Sequence, residues 1–202
     1  MIIEILASLI IFSLVLSHTL KRRKREDTQT IQDFWARERQ ADSVRRKPLD
    51  NLEYITIPMD RMPTELLPDN AAVQEYLDIL KTLSTQGIVN LTGYSNTDLK
   101  LEYGTANITI LSEYDQNYTV LVRTLQQWAD ILLENGCTAE AETIMEFAIG
   151  TRTDVSRTYY KLADIYAVRL ETEKIRSLVE TAETLHSANK NAIVRTLQES
   201  YL

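Results

Sequence analysis

Residues that commonly carry catalysis or bind metals are few in this chain of 202 residues, and they lie far apart in the sequence. The two histidines are His18 and His186, and the single cysteine is Cys137. A metal centre needs several such ligands together, and general acid–base chemistry needs a partner group that tunes the pKa. We therefore expect no catalytic residues, no metal site and no enzymatic activity.

Sites for phosphate groups and cofactors are equally hard to place. Only five glycines are present, and none of them forms the glycine-rich loop that cradles a nucleotide phosphate. The carboxylates are numerous but scattered along helical patterns, which is typical of solvated helix faces. We expect no cofactor, and an enzyme with an unrecognised site is the least favoured of three functional interpretations.

The charge is divided unevenly along the chain. Residues 1–50 carry 10 Lys and Arg against 7 Asp and Glu, whereas residues 51–202 carry 12 against 22, which together give the net charge of −7. Nucleic-acid binding requires dense Lys and Arg to replace the counterions of the phosphate backbone. The acidic distal part of the chain therefore argues against a nucleic-acid partner.

The apolar run at residues 2–20 is the only segment that could hold the chain in a membrane. As a helix it would rise ~28 Å, close to the ~30 Å thickness of the hydrocarbon core. A secretory signal peptide carries positive charge before its apolar stretch and a small-residue cleavage site after it. Here Glu4 lies in the leading segment and residues 17–20 do not match such a site. We expect an uncleaved single-pass anchor.

Five basic residues follow the apolar run directly, and these are Lys21, Arg22, Arg23, Lys24 and Arg25. Clusters of this kind stay on the cytoplasmic side of a membrane. They predict a cell-membrane protein with its N-terminus outside and its remaining domain in the cytoplasm. The same cluster could also bind anionic lipid headgroups at the membrane surface.

Two segments connect the predicted anchor (1–20) to the distal domain. Residues 21–47 read as a basic, helical juxtamembrane stalk, in which Asp33 and Arg37 have the spacing of a helix-surface ion pair. Residues 48–68 contain all four prolines, which exclude a helix there, yet they are rich in Leu, Ile and Met. Because flexible linkers lack apolar residues, we expect an extended strap laid on the helical domain. A docking peptide for another protein is the alternative.

Residues 69–202 read as an all-helical domain. Asp69 is the expected N-cap of a helix whose buried stripe lies at i, i+3, i+4 and i+7 and whose stop is Gly87. The stripe consists of Val73, Tyr76, Leu77 and Leu80. Residues 88–104 are ambiguous, because Asn96 could cap a short helix ending at Gly104, whereas Leu99, Leu101 and Tyr103 alternate as in a strand.

A self-match at an offset of 34 residues is the strongest internal signal. Large apolar and small residues recur at matching positions in two segments, which indicates a repeated pair of packed helices. The matched positions are Leu125/Tyr159, Trp128/Leu162, Ala129/Ala163, Leu132/Tyr166, Ala141/Ile175, Met145/Val179 and Ala148/Ala182.

These positions resemble the tetratricopeptide repeat, a 34-residue helix pair with a small residue on each helix. The resemblance covers residues 118–187, where Asp115 and Gly136 bracket the first helix. Both copies lack the terminal proline, and Ile175 replaces the usual small residue. The implied fold is all-α, with two antiparallel tetratricopeptide-like helix pairs plus flanking helices and a capping helix at residues 189–202. An unrelated helical bundle is the alternative.

The resemblance also implies a groove lined by the first helix of each pair. Its positions are Gln126 and Asp130 in the first pair and Tyr160, Lys161 and Asp164 in the second, with Arg123, Gln127 and Arg157 beside them. The family's clamp for acidic C-termini needs Lys and Asn at two of these sites, which hold Gln126 and Asp130, then Tyr160 and Asp164. A neutral or basic protein segment is therefore the expected partner, unless these side chains are simply solvated.

The order of anchor, basic cluster, strap and repeats also resembles membrane-anchored proteins of Gram-positive anaerobic bacteria, which implies no particular activity. We expect a non-enzymatic scaffold that presents a helical-repeat groove in the cytoplasm. A structural subunit of a larger membrane complex, with stalk and strap as its interface, is the alternative. The sequence does not predict the oligomeric state.

Overall fold

The computed structural model describes residues 30–202, so the predicted anchor at residues 1–20 and the basic cluster at residues 21–25 lie outside the described residues. Within residues 30–202, helices form and no strand does, apart from one isolated antiparallel bridge between Tyr54 and Val89. The prediction of an all-α protein is confirmed. None of the helices in this range is long and apolar enough to cross a bilayer.

Eight α-helices make up the described part of the chain. We number them α1 (30–42), α2 (Ala71–Leu83), α3 (Asn96–Tyr103), α4 (Ile108–Glu134), α5 (Thr138–Gly150), α6 (Ser156–Val168), α7 (Thr172–Glu183) and α8 (Lys190–Tyr201), with a 3-10 turn at Thr105–Asn107. The contacts divide these elements into two compact parts. The small lobe comprises residues 30–47 and 95–108 of the described chain, and the large lobe comprises residues 48–94 and 109–202.

Ion pairs hold α1 and α3 together in the small lobe. The Lys100 ammonium lies between Glu38 and Asp42, with its Nζ 2.8 Å from Asp42 Oδ1. These two partners raise the pKa of Lys100. Arg37 Nη2 lies 2.6 Å from Asp98 Oδ1, so Arg37 is paired across the lobe rather than with Asp33, which was the predicted neighbour on α1.

The segment at residues 95–104 forms a helix, and the strand alternative is wrong. Its N-cap is Ser95, one residue before the predicted Asn96, because the Ser95 hydroxyl accepts from Asp98 N–H while the Asp98 carboxylate accepts from Ser95 N–H. The helix ends at Gly104, which has a φ of 87°. A Cβ at Gly104 would lie 2.2 Å from the Arg45 carbonyl oxygen, so only glycine fits there.

One face of α1 carries apolar side chains that remain exposed. Ile31, Phe34 and Trp35 follow the i, i+3, i+4 spacing of a helix face, and each is more than half exposed. The rings of Phe34 and Trp35 pack edge to face at 5.3 Å. Single exposed apolar residues are normal on protein surfaces, whereas a cluster on one helix face is unusual.

The strap at residues 48–68 belongs to the core of the large lobe. Ile57 and Met62 are buried in the main hydrophobic cluster, and Ile55, Met59 and Leu66 pack against it. The segment forms turns instead of a helix, as its prolines require. Its backbone meets residues 88–89, where Ile55 N–H donates to the Ile88 carbonyl at 2.9 Å.

Helix α2 follows the predicted stripe, with Val73, Leu77 and Leu80 buried. Its N-cap, however, is Asn70 and not Asp69, because the Asn70 side chain accepts from the backbone N–H groups of Ala72 and Val73. The helix also stops at Leu83, four residues before the expected stop. Gly87 instead lies against the Tyr114 ring. A Cβ at this position would be only 2.3 Å from a ring atom, so the close contact requires glycine.

All fourteen positions of the 34-residue match are buried in the large lobe. The helix that carries the first of them is longer than expected. It runs for 27 residues from Ile108, so Asp115 lies inside α4 and is not its start. The Asp115 carboxylate accepts from Leu91 N–H at 3.3 Å, which ties α4 to the segment at residues 88–94.

The turns after α4 and α6 repeat the same backbone geometry at the same offset. Cys137 N–H donates to the Leu132 carbonyl, and Glu171 N–H donates to the Tyr166 carbonyl, both at 2.9 Å. The residue before each donor has positive φ, 78° at Gly136 and 58° at Leu170. This is the hydrogen bonding of a left-handed helix terminus, and it occurs at equivalent points of the two helix pairs.

Consecutive helices from α5 to α8 pack against each other, and α6 also contacts α8. The connections between them span three to six residues, a length that is common between antiparallel neighbouring helices. A buried carboxylate joins the two pairs: Glu142 of α5 lies 2.5 Å from Arg169 Nη1 and 3.0 Å from Lys174 Nζ. Burial opposes ionisation of Glu142, but the hydrogen bonds from Lys174 and Arg169 outweigh it and lower the pKa of the carboxyl.

Candidate partner-binding surface

The predicted groove positions of α4 form hydrogen bonds with side chains of α6. The Gln126 side chain is buried, and its amide donates to Asp130 Oδ1 at 3.1 Å while its carbonyl oxygen accepts from the Thr158 hydroxyl at 2.6 Å. Asp130 also accepts from Arg157 Nε at 3.0 Å. These four side chains form a polar seam between α4 and α6.

The predicted groove positions of α6 are engaged by α8 in the same manner. Asp164 Oδ1 accepts from the Tyr201 hydroxyl at 2.7 Å, and Tyr160 OH lies 3.4 Å from Thr196 Oγ1. Burial and the bond to Asp164 raise the pKa of Tyr201 to about 12. Both aspartates therefore have a side-chain partner in another helix of the large lobe, although the resemblance assigned them to partner binding. Lys161 lies beside them and is half-buried.

A cavity of about 400 Å³ lies along the same face of α4. It is lined by Arg123, Gln126 and Gln127, three of the predicted groove positions, together with Tyr118 and Asp154. Arg123 and Gln127 are exposed and can reach a bound segment. Burial raises the pKa of Tyr118 to about 12, and its hydroxyl donates to the Thr151 carbonyl at 3.3 Å.

A second cavity of about 470 Å³ adjoins the first, because Thr92 and Asp154 line both of them. It lies where the strap, the 90–94 segment, the end of α5 and the residues that follow α7 meet. Its walls include Tyr54, Tyr94 and His186. Sequence reasoning missed this cavity, since its residues come from irregular segments without a periodic pattern.

Asn90 ties the 90–94 segment to the residues that follow α5. Its side-chain amide donates to the Thr151 and Arg152 carbonyls, each at 3.1 Å, and lies 2.9 Å from the Tyr118 hydroxyl. Gly93, with a φ of 94°, lets the segment pass close to His186, where a Cβ would lie 2.7 Å from the His186 Cβ. The two cavities are thus bounded by backbone that side chains hold in place.

Across residues 30–202, no group of three or more His, Cys, Asp or Glu side chains is arranged to hold a metal ion. Comparison of the chain with protein-family models, curated proteins and solved structures gives no match. What the two cavities can bind must therefore follow from their own side chains.

Proposed function

We propose that this protein is a non-enzymatic scaffold that binds a protein segment along the exposed face of α4 and α6. In this proposal the apolar run at residues 2–20 anchors the chain in the cell membrane. The basic cluster at residues 21–25 then keeps the helical domain in the cytoplasm. The helix pairs α4–α5 and α6–α7 act as tetratricopeptide-like units, and α8 caps them.

The repeated turn geometry supports the tetratricopeptide-like interpretation. Matching hydrogen bonds at Cys137 and Glu171 place two helix pairs at the same offset as the buried residues. The contact of α6 with both α7 and α8 is the arrangement that a stack of helix pairs produces. The same kind of turn also ends α5, where Arg152 has a φ of 59° and Thr153 N–H donates to the Ala148 carbonyl at 3.4 Å. The support therefore comes from the coincidence of the turns at Gly136 and Leu170 with the 34-residue match of buried positions.

The observation that carries the scaffold proposal is the cavity beside Arg123, Gln126 and Gln127. It is an open concave site on the helix face that the resemblance assigned to partner binding. Cavities that take ligands combine apolar walls with a few polar groups, and Val122 and Val155 supply apolar wall here. The paired Asp130 and Asp164 would serve mainly to hold neighbouring helices in register.

A second candidate function is favoured by the exposed face of α1. Ile31, Phe34 and Trp35 would suit a structural subunit that packs its stalk against other proteins of a membrane complex. Aromatic residues are enriched at the centres of protein interfaces, and Trp is the commonest of the strongly contributing ones. In that case the strap would pack in the core of the large lobe, and α1 alone would form the interface with the other proteins.

Site-specific photo-crosslinking in the source cell distinguishes these candidates. A benzophenone amino acid is placed in the full chain at Gln127 for the groove, at Trp35 for the stalk, and at Glu180 of α7 as an exposed control. Crosslinking of one defined protein from Gln127 alone supports the scaffold. Crosslinking from Trp35 alone supports the structural subunit.

Adducts that form equally from all three positions, or from none, would reject both binding proposals. The identity of any adduct is established by mass spectrometry of the excised band. Loss of the Arg123 side chain, which lines the cavity, should then remove contacts to the segment, weaken the Gln127 adduct and leave a Trp35 adduct unchanged. Arg123→Ala is the variant for this comparison.

A further inference from the structure

We propose that the cavity of about 470 Å³ receives an arginine side chain of the bound protein segment, with Asp154 as the partner of its guanidinium. This inference rests on the scaffold function proposed above and names the chemistry that the partner must carry. It extends the groove beyond the face of α4, because Asp154 lines this cavity as well as the one beside Arg123.

The Asp154 carboxylate is available for a ligand. Within residues 30–202 the structure gives this carboxylate no hydrogen-bond or ion-pair partner, although its backbone carbonyl accepts from the Asn189 amide at 3.2 Å. By contrast, Asp130 and Asp164 both have partners in the neighbouring helix. Asp154 is half-buried in the wall that the two cavities share, so a cation bound there would be partly shielded from water.

The ends of two helices add to the negative potential of this cavity. Gly150 and Thr151 are the last residue and the C-cap of α5, and Leu185 and His186 follow the C-cap of α7; all four line the cavity. The C-terminus of a helix carries a partial negative charge, which favours cations nearby. Asn90 neutralises part of this charge at α5, but it leaves Asp154 free.

The one arginine in the wall, Arg152, does not convert the cavity into an anion site. Arg152 Nη1 lies 3.8 Å from Glu53 Oε2, and both side chains are mostly exposed to solvent. The pair therefore has little net charge, and water screens it further. The remaining unbalanced charge in the lining is that of Asp154.

Two aromatic rings favour arginine over lysine. Tyr54 and Tyr94 line the cavity and are each about half exposed, at 46% and 48%. Tyr54 is held by an edge-to-face contact with Tyr114, with ring centroids 5.6 Å apart. A guanidinium group stacks on aromatic faces and binds a carboxylate through two parallel N–H groups, whereas an ammonium group does neither as well.

The test uses the full-length protein in detergent micelles and an array of random 12-residue peptides. Each peptide is synthesised in three forms, with arginine, lysine or uncharged citrulline at every arginine position. We expect replacement by citrulline to reduce binding by about tenfold or more, and replacement by lysine to have a smaller effect. Asp154→Asn should remove the preference for arginine.

Asp60→Asn is the matched control, because Asp60 is an exposed aspartate of the same lobe outside both cavities. It removes the same charge and should leave the preference unchanged. Tyr94→Ala should reduce the difference between the arginine and lysine forms while both remain bound. Helical content of each variant, followed by circular dichroism, separates a lost site from a lost fold.

Peptides that bind equally well as arginine and citrulline forms would overturn this inference and leave the scaffold proposal standing. Binding that depends on arginine but is unaffected by Asp154→Asn would place the cation elsewhere and also overturn it. If the wild-type protein binds no peptide of the array, both the inference and the peptide-binding scaffold are rejected.

Discussion

The segments that begin with α4 and with α6 share the geometry of one turn and the burial of seven matched positions, but they differ in the residues at these positions. In the turn after α4 the residue with positive φ is Gly136. In the turn after α6 it is Leu170, which is 87% exposed. In the core, Trp128 of the first pair corresponds to Leu162 of the second, and both are fully buried. What repeats is therefore the hydrogen bonding and the burial of each position, whereas residue identity varies within the space available.

The pairs also differ in how they are joined to their neighbours. Glu142 of the first pair reaches Arg169 and Lys174 of the second, whereas the position 34 residues later is Arg176, which pairs with Glu173 of its own helix. The first pair is thus tied to the second by a half-buried ion cluster. The second pair is joined to α8 by neutral donors, the hydroxyls of Tyr160 and Tyr201.

The largest expected effect comes from the core position that differs between the pairs. Trp128→Ala should lower the free energy of unfolding by about 3–5 kcal/mol, because a fully buried indole leaves a large cavity. Trp128→Leu, which places the residue of the second pair in the first, should lower it by about 2 kcal/mol. Chemical denaturation of the full chain in micelles measures both.

Val168→Ala is the control for these core variants, since Val168 is 86% exposed and its truncation should change the stability by less than about 0.5 kcal/mol. A loss below about 1 kcal/mol for Trp128→Ala would contradict a packed first pair, because the surrounding core would have to close the cavity completely.

Removal of the ion cluster should have the next largest effect. Glu142→Gln is expected to lower the free energy of unfolding by about 1–2 kcal/mol, a range kept small because Arg169 and Lys174 are partly exposed. Glu173→Gln removes an exposed pair on α7 and should change it by less than about 0.5 kcal/mol. Equal effects of the two changes would show that the cluster does not join the pairs.

At acidic pH, the wild-type protein and the Glu142→Gln variant should have the same free energy of unfolding. The pKa of Glu142 is lower in the folded protein than in the unfolded chain, so its stabilising contribution is complete above the ordinary Glu pKa of about 4.3. It declines as the pH falls through the lower folded pKa. Denaturation midpoints of both proteins from neutral to acidic pH give this comparison, and a difference that persists unchanged in acid would contradict it.

The smallest expected effects concern the two turns, and they have opposite signs. Leu170→Gly should raise the free energy of unfolding by about 1 kcal/mol, because glycine has no Cβ to oppose positive φ. Gly136→Ala should lower it by a similar amount, about 1 kcal/mol, although a Cβ there would meet no atom within 4 Å. Thermal denaturation of each variant provides the measurement.

Gly150→Ala serves as the control for the turn variants. A Cβ at Gly150 would also meet no atom within 4 Å, and its φ is not positive. Alanine should therefore raise the stability slightly, by about 0.5 kcal/mol, through its higher helix propensity. Loss of stability in this control would show that the turn effects do not arise from φ.

The buried positions of the repeats were predictable because apolar periodicity reports directly on the core. The ends of the helices were harder to predict from the sequence. Asp69 and Asn70 are both residue types that cap helices well, so the sequence pattern alone does not distinguish them; in the structure Asn70 is the N-cap. Asp115 resembles a start signal, yet nothing between Ile108 and Asp115 breaks a helix, so α4 begins earlier.

The candidate site was predictable only in part. Periodicity placed Gln126 and Asp130 on one face of α4, but their hydrogen bonds to Thr158 and Arg157 depend on the packing of α4 against α6. Tyr54, Tyr94 and Asp154 come together from segments that have no regular spacing. Such convergence depends on the tertiary path of the chain, which local sequence does not encode.

The two tryptophans of the chain are divided between the lobes, with Trp35 half exposed on α1 and Trp128 fully enclosed in α4. Their fluorescence should differ accordingly, with red-shifted, acrylamide-quenchable emission from Trp35 and blue-shifted, protected emission from Trp128. Each lobe thus carries its own intrinsic optical reporter. Binding at α1 and unfolding of the repeats can be followed separately in one unlabelled sample.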